Sequence, residues 1–368
     1  MFPRAPALLR LICLGLSPLG PAPAEELDHL LLKDYSPVSL YRIPATTIDR
    51  AAYPVIDIHS HSFFAKTREE VRAWVAAMDR VGIERTILLT QATGAEFDRI
   101  AALYAEFPER FELWCGFDYR GFDQPGYGPA AVAELERCVR RGAKGVGEVS
   151  DKGDGLMIEG RSTPSNLHLD DPRLDPLLEK CAELNLPVNF HVADPIWMYQ
   201  KMDRHNEGMP NAAIWRRNPT KDSVDPSGLI DQLERTLQRH PRTPFIACHL
   251  ANLDYDLARL GRLLDHYPNL QCDISSRYAE TSTIPRVAAA FFEKYRDRLM
   301  YGTDMEFTLD MYRTTFRILE STDDHFYGVE QFCYLWPLSG LGLSQETLRR
   351  IYRENALNFL GRRRLPAR

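Results

Sequence analysis

Four histidines and one aspartate fall where they could hold a metal ion together. His59 and His61 are spaced two apart in Asp57-Ile58-His59-Ser60-His61. His191 ends Val188-Asn189-Phe190-His191, His249 ends Ile246-Ala247-Cys248-His249, and Asp304 ends Tyr301-Gly302-Thr303-Asp304. Each group closes a short apolar run of the kind that forms a buried strand. Along a strand, residues two apart face one side, so His59 and His61 can point together. Neutral imidazole plus carboxylate suits Zn(II) and the related Fe, Mn and Co ions. Three or four such ligands with an open position make a water-activating site, not a closed structural one. The remaining histidines read differently. His29 lies in the N-terminal stretch. His240 and His266 sit at helix C-termini, where the dipole favours a cation. His168, His205 and His325 fall in loops that could touch a substrate.

These residues need a scaffold that brings distant strand ends together. Strand candidates are Val55–Ile58, Thr86–Leu89, Phe111–Gly116, Gly145–Val149, Pro187–Phe190, Pro244–Cys248, Leu270–Ile274 and Leu299–Tyr301. A helical pattern follows each: Thr67 to about Asp79, Gly94–Phe107, Pro129–Arg141, Asp171–Leu184, Leu229–His240, Leu253–His266 and Arg286–Arg296 precede the later strands. The centres of the first and eighth candidates lie near 57 and 301, so seven steps average about 35 residues. Strand followed by helix, repeated, means a parallel sheet. Eight such units predict a (β/α)8 TIM barrel, whose active site forms at the C-terminal strand ends. The rival is an open doubly wound sheet, but no Gly-x-Gly-x-x-Gly follows the first strand. Residues 194–225, after the fifth strand, read as a lid insertion over the barrel mouth. Residues 25–52 read as an N-terminal extension, 53–368 as the barrel domain.

Of 368 residues, 44% are hydrophobic, 10% aromatic and 26% charged, which excludes a disordered chain. The net charge of -6 argues against a nucleic-acid partner. A mean hydropathy of -0.33 and the lack of long uncharged apolar runs argue against a membrane span. A small-molecule substrate is expected, with a homo-oligomer as an option. Residues 1–24 have the layout of a secretory signal peptide: Arg4, an apolar stretch Leu11–Leu19, then Ala22-Pro23-Ala24. Arg10 and the prolines depart from that layout. Export to a periplasmic or extracellular space is the expectation, a cytoplasmic location the alternative. Beyond Cys13, the six cysteines are scattered and read as buried reduced thiols.

The phrases VIDIHSH (55–61), LPVNFHVADP (186–195), FIACHLAN (245–252), LQCDISSR (270–277) and RLMYGTD (298–304) resemble the amidohydrolase superfamily. The wording is closest to its amidohydrolase-related branch, which includes aminocarboxymuconate-semialdehyde decarboxylase. The resemblance runs over roughly 53–360 in the same order. It implies that His59, His61 and His191 are metal ligands. It implies that Asp304 binds metal and takes a proton from water, and that His249 polarises substrate or orients water. Two-metal relatives carry a bridging carboxylated lysine or glutamate on the fourth strand. Here Glu148 stands at that strand's end and could bridge, or serve as a supporting carboxylate or substrate contact. Lys152, farther along, is the weaker candidate. One divalent ion per chain, zinc before others, is the favoured expectation; two follow if Glu148 bridges.

That chemistry hydrolyses an amide, ester or lactone bond in a small cyclic or carboxylated substrate. The alternative within the same branch is a metal-dependent decarboxylase. The alternative of another class is a barrel that binds metal or ligand without turnover. Export favours hydrolysis. For substrate contacts, Arg277 after strand seven suits an anion. The insertion offers Asp194, Trp197, Tyr199, Arg204, His205, Trp215, Arg216 and Arg217, with Trp197 and Arg204 foremost.

Overall fold

The computed structural model describes residues 29–157, 165–217 and 223–361. The proposed leader at 1–24 lies outside them. The chain divides into two units, Met1–Ser36 and Pro37–Arg368. Within the first, Leu32–Asp34 forms one 3-10 turn, with Lys33 bonded to Asp34 at 2.8 Å.

Among the described residues of the second unit, eight strands alternate with helices, as the periodicity requires: β1 Val55–Ser60, β2 Ile83–Leu89, β3 Phe111–Trp114, β4 Val146–Asp151, β5 Val188–Val192, β6 Phe245–Ala247, β7 Leu270–Asp273 and β8 Leu299–Met300. All neighbours pair in parallel, in the runs β1-β2-β3 and β4 to β8. Two seams join the runs. Cys115 bridges to Val146 and its N–H donates to the Gly145 carbonyl at 3.0 Å. Across the other seam the Ile58 N–H donates to the Tyr301 carbonyl at 3.0 Å. The sheet is therefore a closed (β/α)8 barrel, and the open-sheet rival is excluded.

Around it run α1 Arg68–Val81, α2 Gly94–Tyr104, α3 Tyr127–Arg140, α4 Asp175–Glu183, α5 Pro226–Arg239, α6 Leu257–His266, α7 Tyr278–Thr283, α8 Pro285–Lys294 and α9 Leu309–Glu320. Thr67 and Glu70 form a capping box at α1, which then buries Val71, Trp74, Val75 and Met78. The helix expected from Leu253 begins instead at Leu257, because His249 to Asn252 turn through left-handed backbone.

Ile56, Ile58, Ile87, Leu89, Trp114, Ile246 and Met300 pack into one buried cluster. They come from β1, β2, β3, β6 and β8. A cluster drawn from strands on opposite sides lies inside the barrel. Ala356 and Phe359 of the C-terminal helix join it. Residues 37–52 lie along the outside: Thr46 bonds Asp323 and the Ala52 N–H donates to Glu320. The segment between β5 and α5 holds 3-10 turns at Ile196–Tyr199 and Met209–Asn211. It is fastened beyond the C-terminal end of β4, where the Tyr199 hydroxyl donates to the Lys152 carbonyl at 2.9 Å. Among the described residues, no helix is long and apolar enough to cross a membrane.

Candidate metal centre

Simple strand alternation does not put these ligands together; local departures from it do. Ile58 joins the interior cluster, so strict alternation would turn His59 outward. Between Asp57 and Ser60, however, β1 carries one residue more than β2. Such a bulge re-aims the chain, and His59 is wholly buried in the interior beside Asp273. A second bulge lies between Val146 and Val149 on β4. It carries Glu148. Gly302 lets β8 pass close by, since a Cβ there would sit 2.8 Å from that of His59. After β6, His249, Leu250, Ala251 and Asn252 have φ of 57, 55, 55 and 52°. Left-handed backbone costs roughly 1–2 kcal/mol for each such side chain. The turn persists because the His249 N–H donates to Asp273 at 2.9 Å and Asn252 donates to the Val192 carbonyl at 2.8 Å.

His59, His61, His191 and His249 are all buried, and each has an Nε2 with no hydrogen-bond partner among the described residues. Their Nδ1 atoms are committed. His61 Nδ1 donates to the Leu89 carbonyl at 2.9 Å, and His249 Nδ1 to the Ser275 carbonyl at 2.9 Å. A carbonyl only accepts, so the proton sits on Nδ1 and the lone pair on Nε2. His59 Nδ1 donates to Asp273 at 2.9 Å. His191 Nδ1 donates to Glu148 at 2.5 Å. This is the support that metal-binding imidazoles use to fix their orientation.

The free Nε2 atoms of His59, His61 and His249 face two carboxylates, and that of His191 faces Asp194 at 3.5 Å. Asp304 Oδ1 lies 2.9 Å from His61 Nε2 and 3.5 Å from His59 Nε2; its Oδ2 lies 3.6 Å from His249 Nε2. Glu148 Oε1 lies 3.8 Å from His59 Nε2 and 3.5 Å from His249 Nε2, while its Oε2 lies 3.8 Å from His61 Nε2. Two compact donor groups result: His59, His61 and Asp304, and His59, Glu148, Cys248 and His249. An imidazole–carboxylate set with unsatisfied inward lone pairs fits a divalent ion such as zinc.

The charges agree with that fit. Burial works against a charged His59, yet Asp273 and Asp304 raise its pKa to about 10. Burial would raise Asp304, but His59 and His61 hold its carboxyl below the usual range. Burial and neighbouring His191 push His249 down to about 4. The buried carboxylates thus favour a cation in this pocket, either a proton on His59 or a metal ion in its place.

The remaining expectations fall differently. Arg204 is on the surface, its Nε 3.1 Å from His205 Nε2. Trp197 is buried, with its ring against Tyr334 and Trp336. Arg277 is buried in an internal network, not presented to an incoming anion. Its Nε and Nη2 donate to Asn252 Oδ1 at 2.8 and 2.6 Å, and its Nη1 lies 3.3 Å from Glu280. Burial pushes Glu280 up to about 7; Arg277 opposes the shift and Asp254 adds to it. Arg277 therefore braces the left-handed turn that carries His249. Arg277→Ala would strand two buried acids, and we expect a loss of about 3–5 kcal/mol in stability. Urea unfolding checks this; a loss below about 1 kcal/mol would show that the network is not structural. His168 and His240 are tied to Asp151 and Asp175 at 2.8 and 2.9 Å.

Sequence reasoning missed Asp57, Asp273 and Ser275. Asp273 Oδ1 takes N–H bonds from His249 and Ser275 while its Oδ2 holds His59. Asp57 accepts from the Thr303 N–H and hydroxyl, closing β8 on β1. Asp57 stands two residues before His59 and Asp273 ends β7, but a buried supporting acid has no spacing signature. Cys248 also sits inside the centre, its Sγ donating to Asn189 Oδ1 at 2.6 Å. A bland buried thiol understates that position.

Comparison with known proteins agrees with this architecture. A search of curated proteins finds no match. A TIM-barrel protein from Bordetella bronchiseptica superposes with a TM-score of 0.50 at 14% identity, covering 84% of this chain and 99% of its own. The 4-oxalomesaconate hydratase of Rhodopseudomonas palustris gives 0.50 at 16%, covering 84% and 96%. A candidate 2-pyrone-4,6-dicarboxylic acid hydrolase from Pseudomonas putida gives 0.50 at 17%, covering 85% and 98%. At such identities these likenesses speak for the fold alone. The sequence profile of the amidohydrolase family matches residues 56–362, which include all four inward-facing histidines, Glu148 and Asp304, and so the chain belongs to the amidohydrolase family.

Proposed function

We propose that this protein is a metal-dependent hydrolase that directs a water at an amide, ester or lactone bond of a small molecule. One observation carries the reading: the buried imidazoles of His59, His61 and His249 aim unpartnered Nε2 atoms at Glu148 and Asp304, and His191 is bonded to Glu148 beside them. A divalent ion would supply Lewis acidity and lower the pKa of water toward about 7. His59, His61, His191, His249, Asp304 and Glu148 would hold it. Glu148 reaches different imidazoles with its two oxygens, so its carboxylate would help to hold a second ion, where the sequence favoured one. Asp304, held in its ionised form, takes the proton of the attacking water and returns it to the leaving group. His249, its proton fixed on Nδ1 by the Ser275 carbonyl, presents only the Nε2 lone pair, which can accept from the attacking water and so orient it, or help hold the ion.

The test is elemental analysis of the full chain after incubation with zinc and desalting. Two ions per chain are expected. One ion would remove the bridging role of Glu148. No uptake would overturn the metal-dependent reading. A panel of lactones, amides, esters and aromatic acids, with carbon dioxide measured, then tests the bond broken. Hydrolysis without carbon dioxide is expected, and activity should disappear with a chelator and return with zinc. Carbon dioxide release from the acids alone would replace hydrolysis by decarboxylation.

A further inference from the structure

Beside the metal centre stands a second charged constellation that the proposed chemistry does not use. Lys152 follows β4, Asp194 follows β5, and Arg217 comes from the segment before α5. Lys152 Nζ lies 2.8 Å from Asp194 Oδ1, and Arg217 Nη1 lies 2.9 Å from Asp194 Oδ2. Asp194 Oδ1 is also 3.5 Å from His191 Nε2, so this group adjoins the centre directly. The side chains of Lys152, Asp194 and Arg217 are only 18, 12 and 12% exposed.

We propose that Lys152 and Arg217 form a carboxylate-binding subsite, and that the substrate is a small molecule bearing a carboxylate next to its hydrolysed bond. The inference deepens the hydrolase reading and rests on it for the reacting centre. Three observations carry it. First, two cations that are mostly, not wholly, enclosed bracket a single carboxylate, which leaves the inner group positive. The balancing acid, Asp154, lies 3.2 Å from Arg217 Nη2 but is 38% exposed, where water screens it. Second, Arg217 Nε is buried without a hydrogen-bond partner among the described residues. An unmade buried donor is costly, and more so when charged. A guanidinium offers Nε and Nη as a fork matched to a carboxylate, so a bound anion would satisfy it. Third, the cations are held in place before any ligand arrives. The Arg217 guanidinium lies over the Tyr199 ring at 5.0 Å, and the Tyr199 hydroxyl donates to the Lys152 carbonyl at 2.9 Å. In this arrangement Asp194 occupies the place of a substrate carboxylate and offsets part of the charge of the pair until one enters.

The experiment uses the zinc-loaded full chain in isothermal titrations with benzoate, phthalate and glutarate, and with their methyl esters as neutral controls. At least one carboxylate should bind, its ester at least about tenfold more weakly. Lys152→Met and Arg217→Met should each weaken that carboxylate by at least about tenfold. Asp194→Asn, which keeps the shape and removes the competing charge, should tighten it. Zinc content is measured on every sample. Unchanged carboxylate affinity in Lys152→Met and Arg217→Met at full zinc content would place the anion on the metal alone and overturn the subsite. So would the absence of any carboxylate binding to the wild type. Failure to take up zinc would count against the hydrolase reading, separately from the anion measurement.

Discussion

Asp304→Asn should abolish turnover while leaving a folded, zinc-binding protein. Asparagine has the same shape and can still meet Ser276, whose hydroxyl lies 3.0 Å from Asp304 Oδ2. It cannot accept a proton from water. Proton transfer by a positioned side chain contributes about 10²–10⁴-fold, and the loss in kcat should fall at or beyond the top of that range. The larger loss is expected because Asp304 also faces three of the imidazoles, at 3.5, 2.9 and 3.6 Å. The measurement is kcat on whichever ester, lactone or amide the wild type hydrolyses, with zinc content alongside. Activity within tenfold of wild type would remove Asp304 from the proton path.

Glu148→Gln should lower zinc uptake from two ions to one and reduce kcat by more than the roughly 10–100-fold typical of losing a supporting partner. The reason is position. Glu148 is buried among the inward imidazoles, bonded to His191 through Oε1 and to Gln91 through Oε2 at 3.1 Å. Burial would raise its pKa, but His191 beside it holds it well below the usual range. A neutral amide keeps the volume and one acceptor oxygen but loses the negative charge that would offset the repulsion between two cations. Glutamine should therefore leave the pair His59 and His61 able to bind with Asp304. Two ions retained in the variant would reduce Glu148 to a supporting role. Loss of both ions would show that the centre assembles as a unit.

Much of the architecture was legible in the sequence. Each of the eight predicted strands overlaps an observed one, because buried parallel strands are short apolar runs. Helix ends were marked by chemistry that acts locally, as at Thr67 and Glu70. The groups that meet in the barrel were marked too, since histidines and an aspartate fall at or just past strand ends. Arg277 was less legible. An arginine after a strand end looks the same in sequence whether it meets a ligand or braces a turn, and only its bonds to Asn252 and Glu280 distinguish the two.

The sequence alone determined the scaffold and the inventory of groups, because period and residue type are local properties. Convergence was decided in three dimensions. The bulges that carry His59 and Glu148, the left-handed turn that carries His249, and the close passage at Gly302 depend on register and on bonds between distant segments. Asp273 holds His59 and His249 across separations of 214 and 24 residues, a relation that no spacing rule contains. Whether a charged side chain supports the centre or meets a ligand is settled by which neighbours have already taken its hydrogen bonds.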